Sequence, residues 1–192
     1  GCVGLMSVNG KTILHHQYKT IKEAFPKANI IYVYGFEGRR LSTFIDKNIS
    51  SFPDVRLLYN ASYDTTNSAY SLFLASEYLK SNCCILFGDN ILHKKSLPQL
   101  QSLESSQIFV NRKQKNKLGC IINNNKIENI SYDLDNYLSE IYYISQDHAK
   151  LLQKILRDPL NHSCFVFELI NKLIDMNQSI QPLYTNYITT PL

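Results

Sequence analysis

The stretch that most constrains the fold is residues 83–92, CCILFGDNIL, in which an unbroken apolar run stops at a glycine. Apolar residues without polar alternation, as at residues 83–87, are typical of a buried strand in an α/β sheet. Gly88 permits a sharp turn and a close approach between the backbone and a ligand. Asp89 and Asn90 come after the carboxyl end of this predicted strand, which is the position where open α/β sheets bind ligands. The Asp89 carboxylate is therefore a candidate Mg²⁺ ligand. The alternative is an aspartate that starts a turn or caps a helix.

Strand and helix patterns alternate through the first half of the chain. Strands are predicted at residues 3–8, 30–34, 55–59 and 83–87, with helices at 11–24 and 37–49 and a third capped by Thr66 or Asn67. The second half adds helices at 97–103, 146–156 and 164–175, strands at 107–111 and 140–145, a hairpin of 117–122 with 126–130, and a last strand after Pro182. This alternation predicts βαβ units and a mostly parallel sheet in an α/β fold.

The composition indicates a globular protein. The chain has 192 residues, of which 44% are hydrophobic and 19% charged, and its net charge is +4. We expect one domain over residues 1–192. The five cysteines form no CxxC pair, which predicts reduced thiols and a cytoplasmic location. Neither a membrane span nor a secretory signal is expected. The basic cluster at residues 111–117, NRKQKNK, favours a solvated turn over a nucleic-acid patch.

Several other short motifs compete for a function. Gly10 and Lys11 begin a GKT sequence, but a P-loop would need glycine at position 5, where Leu5 stands. Lys11 at a helix start could still reach a phosphate, and the alternative is a solvated lysine in a turn. Asp133 and Asp135 match the DxD of metal-dependent glycosyltransferases, but their place after a hairpin favours an acidic surface turn. No GxSxG nucleophile elbow occurs in the sequence.

A series of segments, in order, resembles the sugar-phosphate and choline-phosphate nucleotidyltransferases. Residues 4–14, GLMSVNGKTIL, are similar to the family's PLLxVNGKxIL segment. Residues 60–72, NASYDTTNSAYSL, resemble the N..Y..TNN..SL segment of the choline-phosphate branch, and residues 85–91 resemble the LxGDN segment of glucose-1-phosphate thymidylyltransferases. Residues 118–130 and 141–156 resemble the family's hairpin and the strand and helix that follow it. The resemblance spans nearly the whole chain.

The resemblance implies a three-layer, Rossmann-like fold of the nucleotide-diphospho-sugar transferase (GT-A-like) type. It implies an enzyme that joins a nucleoside triphosphate to a phosphosugar or a phosphocholine-like acceptor and releases pyrophosphate. In such an enzyme Asp89 would bind the catalytic Mg²⁺ and Lys11 would help to offset the charge that develops on the phosphates. The residues that would border the nucleotide or the acceptor are Gly10, Asn60, Asn67, Ser68, Tyr70, Gly88 and Asn90.

Two departures from the family pattern favour an alternative function. The family's glycine-rich GxGxR loop, which cradles the nucleotide phosphates, would precede Gly4. Thr189 stands where the family has a second metal carboxylate, and a hydroxyl is a poorer Mg²⁺ ligand. The alternative is a catalytically inactive relative that serves as a binding, regulatory or structural module with a protein partner.

The tyrosines raise a further possibility within the resemblance. An aromatic box can bind a quaternary ammonium group, and Tyr63, Tyr70 and Tyr142 lie in segments that resemble the choline-phosphate branch. Tyrosines at helical or strand spacing more often pack at the edge of a core. Both interpretations are open at the level of sequence.

Overall fold

The computed structural model describes residues 2–93, 95, 97, 104–111 and 118–184. Its helices are α1 (Ile13–Ala24), α2 (Gly38–Lys47), α3 (Ser68–Leu74), α4 (Gln146–Leu156) and α5 (Val166–Asp175). Its strands are β1 (Ser7–Val8), β2 (Lys11–Thr12), β3 (Ile30–Tyr34), β4 (Val55–Tyr59), β5 (Cys83–Ile85), β6 (Gln107–Asn111), β7 (Leu118–Asn123), β8 (Lys126–Tyr132), β9 (Tyr137–Ile144) and β10 (Gln181–Tyr184). Short 3-10 turns lie at Val3–Leu5, Ile49–Ser51, Ser76–Tyr78 and Pro159–Ser163.

Six of the described strands form the main sheet, which is built around β9. The order is β10, β6, β9, β7 and β8, and β5 also pairs with β9. β9 runs antiparallel to β5, β6 and β7, whereas β10 runs parallel to β6. Strands β3 and β4 form a separate parallel pair, and β1 and β2 form a small hairpin. The strand pairing of the described residues is therefore mixed, with parallel pairs at β3–β4 and β6–β10.

Both faces of the main sheet are covered, which makes the fold three-layered. Ile108 and Val110 of β6 point into a core shared with α4 and α5, whereas Phe109 between them points to the opposite face. β9 alternates in the same way, because Tyr142 lies in the first core and Ile141 in the second. Alternating side chains must face opposite sides of a strand, so helices on both sides are required to bury them. The predicted α/β fold with three layers is confirmed.

The first helix begins two residues later than predicted. Asn9 and Gly10 have φ angles of 51° and 79°, as a two-residue hairpin turn of type I′ requires. The turn places Lys11 in β2. Thr12 then caps α1, because its side-chain oxygen accepts a hydrogen bond from the backbone N–H of His15 at 3.3 Å. The prediction that Lys11 starts the helix is therefore wrong.

The central strand differs most from the prediction. β5 ends at Ile85, so Phe87 lies beyond the strand. β5 pairs with β9 on one side, and the Cys84 side chain is exposed. The apolar run at residues 83–87 is thus an edge strand in the described part of the fold and not an interior one. An apolar run shows that a segment is suited to burial, but it does not show how many neighbours the strand has.

Some predictions fall outside the described residues. These are most of the helix at 97–103, the cluster at 112–117 and the tail that holds Thr189. Asp133 and Asp135 lie exposed between β8 and β9, as expected for a surface turn. Within the described helices, none is both long and apolar enough to cross a membrane.

A candidate active site around Asp89

The turn at residues 87–90 is held from α1. The backbone N–H of Asn90 donates to the Phe87 carbonyl at 3.2 Å, which closes the turn. The side-chain amide of Gln17 donates to the carbonyl of Phe87 at 2.9 Å and to that of Asn90 at 2.7 Å. Gln17 is buried, at 6% exposure. A buried amide that satisfies two backbone carbonyls fixes the turn, and with it the Asp89 backbone between them.

Asn90 ties the same turn to the main sheet. Its side chain is buried, and its amide lies 3.5 Å from the Ser139 carbonyl on β9. Asp89 itself is exposed. The fold therefore presents the Asp89 carboxylate to solvent from a turn that is fixed on two sides, as a ligand-binding carboxylate requires.

Glu140 is a second carboxylate whose charge interacts with that of Asp89, and no sequence motif marks it as a site residue. It lies in β9 with a left-handed φ of 49°, where β6 and β9 shift register. Burial raises the pKa of Glu140, and the charge of Asp89 raises it further. Left-handed φ is uncommon for a residue other than glycine, aspartate or asparagine, and it concentrates at functional sites. No local sequence signal marks such a φ at a glutamate.

The donor atoms at this site suit Mg²⁺. Asp89 and Glu140 offer carboxylate oxygens, and Mg²⁺ is usually held by one or two carboxylates together with water and substrate phosphates. Among the residues that the structure describes, no group of three or more His, Cys, Asp and Glu side chains could hold a metal ion. The buried Tyr142 hydroxyl has no hydrogen-bond partner among the described residues, and the charge of Glu140 contributes, after burial, to its raised pKa.

Tyr32 of β3 reaches across to the same turn. A Cβ atom placed on Gly88 would lie 3.2 Å from the Tyr32 hydroxyl, so glycine allows this close approach. Burial raises the pKa of Tyr32 to about 12, and the charges of Cys2 and Asp89 add to the effect. Tyr32 therefore stays a neutral phenol beside the Asp89 carboxylate at physiological pH.

Lys11 belongs to the hairpin before α1 and not to the turn at residues 87–90. It is exposed in β2, in the hairpin before α1. Its charge contributes, after burial, to the lowered pKa of His15. No described contact joins Lys11 to Asp89, although α1 connects the hairpin to the turn through Gln17. Its predicted catalytic role stays a prediction.

Asn60 organises the loop after β4. Its side chain is 3% exposed, and its amide donates to the Ser71 hydroxyl at 3.3 Å. Its side-chain oxygen accepts from the Ser62 N–H at 2.9 Å. These bonds hold the segment that leads into α3. The described contacts of Asn60 are therefore internal to the fold, and a role in substrate binding stays a prediction.

The start of α3 docks onto the 3-10 turn before α5. The Asn67 amide donates to the Ser163 carbonyl at 2.6 Å, and the Ser68 hydroxyl accepts from the Val166 N–H at 3.0 Å. Tyr70 lies with its ring centroid 5.0 Å from that of His162. All three of these predicted substrate-binding residues thus contact the 3-10 turn before α5 or the first residue of α5.

The three tyrosines of the hypothetical aromatic box pack against different partners. Tyr63 contacts Phe36 at 6.2 Å between ring centroids, and Tyr142 contacts Phe87 at 6.5 Å. Tyr70 packs on His162, and Tyr142 is fully buried. These contacts agree with packing at core edges.

An open cavity of about 510 Å³ lies away from the turn. Its lining comes from α4, α5 and the turn between them: Lys154, Ile155, Asp158, Asn161, Lys172, Asp175 and Met176. Asp89 is not part of this lining, so the cavity is separate from the candidate site.

Comparison with solved structures shows the same overall fold in nucleotidyltransferases. The CTP:phosphocholine cytidylyltransferase LicC of Streptococcus pneumoniae superposes with a TM-score of 0.77 at 21% identity, over 98% of this chain and 83% of that one. The nucleoside-diphosphate-sugar pyrophosphorylase of Vibrio cholerae gives 0.75 at 11% identity, over 98% and 86%. The inositol-1-phosphate CTP transferase of T. maritima gives 0.72 at 13% identity, over 95% and 76%.

The chain is thus an α/β protein with a nucleotidyltransferase-like fold. No curated protein matches its sequence. Residues 2–183 match DUF6564, a domain of unknown function, and the chain belongs to that family.

We expect Gln17→Leu to loosen the turn at residues 87–90. The variant removes the described donor of the Asn90 carbonyl and one of the two donors of the Phe87 carbonyl, and an unsatisfied buried group costs about 1–3 kcal/mol. Urea denaturation should show this loss, and hydrogen exchange at Asn90 should become faster. Gln153→Leu is the matched control, because the Gln153 amide donates to the Ser76 carbonyl, away from Asp89. Equal exchange at Asn90 in both variants would contradict the assigned role of Gln17.

The raised pKa of Glu140 predicts a pH dependence of stability. Below about pH 4 the carboxyl is protonated in the folded and the unfolded chain. As the pH rises, Glu140 ionises first in the unfolded chain, because its pKa is higher in the folded chain. The stability that Glu140 contributes at low pH is therefore lost as the pH rises through its folded pKa. Glu140→Gln should therefore gain stability relative to the parent between pH 4 and pH 7, measured by urea denaturation. Glu128→Gln, at an exposed position on β8, is the control and should show no such trend. If the stabilities of the parent and of Glu140→Gln change with pH in parallel, the raised pKa of Glu140 is wrong.

Proposed function

We propose that the Asp89 site binds Mg²⁺ with a nucleoside triphosphate and transfers the nucleotidyl group to a phosphosugar or phosphoalcohol. The observation that carries this proposal is the fixed turn at residues 87–90, which presents Asp89 beside Glu140 in a nucleotidyltransferase-like fold. Two of the similar structures are named for CTP transfer to phosphocholine and to inositol 1-phosphate, which supports a phosphoalcohol acceptor.

The reaction joins an oxygen of the acceptor phosphate to the α-phosphorus of the triphosphate. The bond between the α-phosphorus and the bridging oxygen breaks, and pyrophosphate leaves with the electron pair. Mg²⁺ would neutralise part of the charge on these phosphates. Asp89 and Glu140 would hold the ion, and the bonds from Gln17 would keep Asp89 in place. Most of the protein's contribution is positioning and electrostatics.

The remaining residues of the proposed site act around this centre. Lys11 would offset phosphate charge from the hairpin before α1, and Gly10 and Gly88 would let the backbone approach the nucleotide. Asn60, Asn67, Ser68 and Tyr70 have partners within the fold. They would therefore act on a substrate mainly by fixing the loops around it, as Asn90 does for Asp89. A cytoplasmic location is part of the proposal.

A catalytically inactive binding module is the second candidate. The observation that favours it is the edge of β5 opposite β9, which pairs with no other described strand, since an unpaired strand edge is a site for pairing with another polypeptide. The two candidates differ in whether Asp89 supports turnover.

Asp89→Asn should abolish Mg²⁺-dependent pyrophosphate release while it preserves the fold. An amide cannot supply the negative charge that a divalent cation requires. Pyrophosphate release from the four common triphosphates, with phosphocholine and glucose 1-phosphate as acceptors, measures the effect, and circular dichroism checks the fold. Asp133→Asn is the control, because Asp133 lies exposed in the turn after β8 with a φ of 59°, which asparagine tolerates. Equal release by both variants would exclude the role of Asp89.

The 192-residue chain should bind nucleoside triphosphates no more tightly than the millimolar range. The sequence contains no GxGxR loop, and a charge-assisted hydrogen bond is worth roughly 1.5–3 kcal/mol. The loss of three such bonds would weaken binding by about 4 kcal/mol or more, roughly a thousandfold. Calorimetric titration with each triphosphate and Mg²⁺ measures this affinity. A micromolar dissociation constant would show that another segment, with residues 8–12 the first candidate, cradles the phosphates.

A further inference from the structure

The hydroxyl of Tyr32 lies where three separate segments of the chain meet. The Tyr32 ring packs against the core of α1 and α2, which includes Leu41. Its hydroxyl oxygen lies close to the backbones of Gly4, in the turn at Val3–Leu5, and of Gly88. A Cβ atom on Gly88 would lie 3.2 Å from this oxygen, and a Cβ atom on Gly4 would overlap it. The lack of a side chain at both glycines therefore leaves room for the hydroxyl.

The Tyr32 hydroxyl has unused hydrogen-bonding capacity. Within the described part of the chain, no group donates to it or accepts from it. Tyr32 is only partly buried, and its hydroxyl oxygen is not closed off from solvent. Tyrosine hydroxyls at the edge of a core usually have a hydrogen-bond partner. A ligand at the turn of residues 87–90 can therefore reach a free donor that the packing of the ring holds in place.

The charge around this hydroxyl is negative. None of the described lysines or arginines forms an ion pair with Asp89 or Glu140. An anion can therefore bind beside these carboxylates only when a divalent cation offsets their charge. A neutral hydroxyl suits such a place, because it donates to the anion without competing with the cation for the carboxylates, as a lysine would. The Tyr32 phenol keeps its proton at physiological pH.

We propose that the Tyr32 hydroxyl donates a hydrogen bond to a phosphate oxygen of a Mg²⁺-bound triphosphate at Asp89. This inference rests on the proposed function, which puts Mg²⁺ and a triphosphate beside Asp89. Tyr32 would contact the phosphate chain itself and would not position Asp89, because no hydrogen bond among the described residues joins the Tyr32 hydroxyl to the turn at residues 87–90. Gly4 would contribute by leaving the hydroxyl in place.

The packing around the hydroxyl can be tested without a ligand. Gly4→Ala should lower the urea midpoint of the parent, because the new methyl group would overlap the Tyr32 oxygen. The same substitution should be tolerated in Tyr32→Phe, because a Cβ atom at position 4 lies 3.5 Å from the Cζ atom of the ring, an ordinary contact distance. Urea denaturation of the parent, both single variants and the double variant measures this difference.

Binding of inorganic triphosphate tests the proposed contact. In excess Mg²⁺, Tyr32→Phe should raise the dissociation constant of triphosphate about tenfold to a hundredfold, the loss expected for one hydrogen bond to a charged group. The dissociation constant of Mg²⁺ alone should stay the same, since the hydroxyl contacts neither the ion nor Asp89 in the proposed arrangement. NMR titrations that follow the amide resonances of Gly88 and Asn90 measure both equilibria.

Tyr34→Phe is the matched control. Tyr34 lies in the same strand, and its ring packs against that of Tyr59 with 5.4 Å between the centroids. It contributes no atom to the contacts around Gly4 and Gly88. Tyr34→Phe also removes one phenol oxygen from β3, so it should bind triphosphate like the parent.

The outcomes separate this inference from the proposed function. Equal triphosphate binding by the parent and Tyr32→Phe would exclude the contact and leave the metal site at Asp89 in place. Equal losses of Mg²⁺ and triphosphate binding in Tyr32→Phe would show that Tyr32 only positions Asp89. A parent that binds no triphosphate with Mg²⁺ would overturn both proposals. If Tyr32→Phe does not fold, Gly4→Ala, which displaces the hydroxyl, must weaken triphosphate binding instead, and unchanged binding would exclude the contact.

Discussion

The candidate site depends on one buried amide, that of Gln17. A glutamine side chain on an otherwise apolar helix face loses its hydration when α1 packs, and it is stable there only with hydrogen-bond partners. Those partners are the carbonyls of Phe87 and Asn90, and Asn90 in turn reaches β9. Three elements that are distant in sequence are thereby fixed around Asp89. The same bonds give the exposed Asp89 carboxylate a defined place in the fold.

Glu140 shows that strain and charge coincide at this site. A left-handed φ at a glutamate costs free energy that the surrounding sheet must offset, and a carboxyl group near Asp89 adds repulsion when both groups are ionised. Neither feature improves packing. The repulsion becomes smaller if a divalent cation lies between the carboxylates, because the cation replaces repulsion with attraction. The backbone strain is a separate, steric cost that a cation does not relieve, and it is of the kind that concentrates at functional sites.

Much of the fold could be predicted from the sequence, because its elements have clear periodicity. β3 and β4 agree with the predicted bounds, and α4 does so as well. The partners of each strand could not be predicted: the run at residues 83–87 looks interior because it is apolar, yet among the described strands β5 pairs with β9 alone. The turn and Asp89 were found from the GDN sequence, whereas Glu140 and Gln17 depend on contacts between residues at least 50 positions apart. Local patterns carry no information on such contacts.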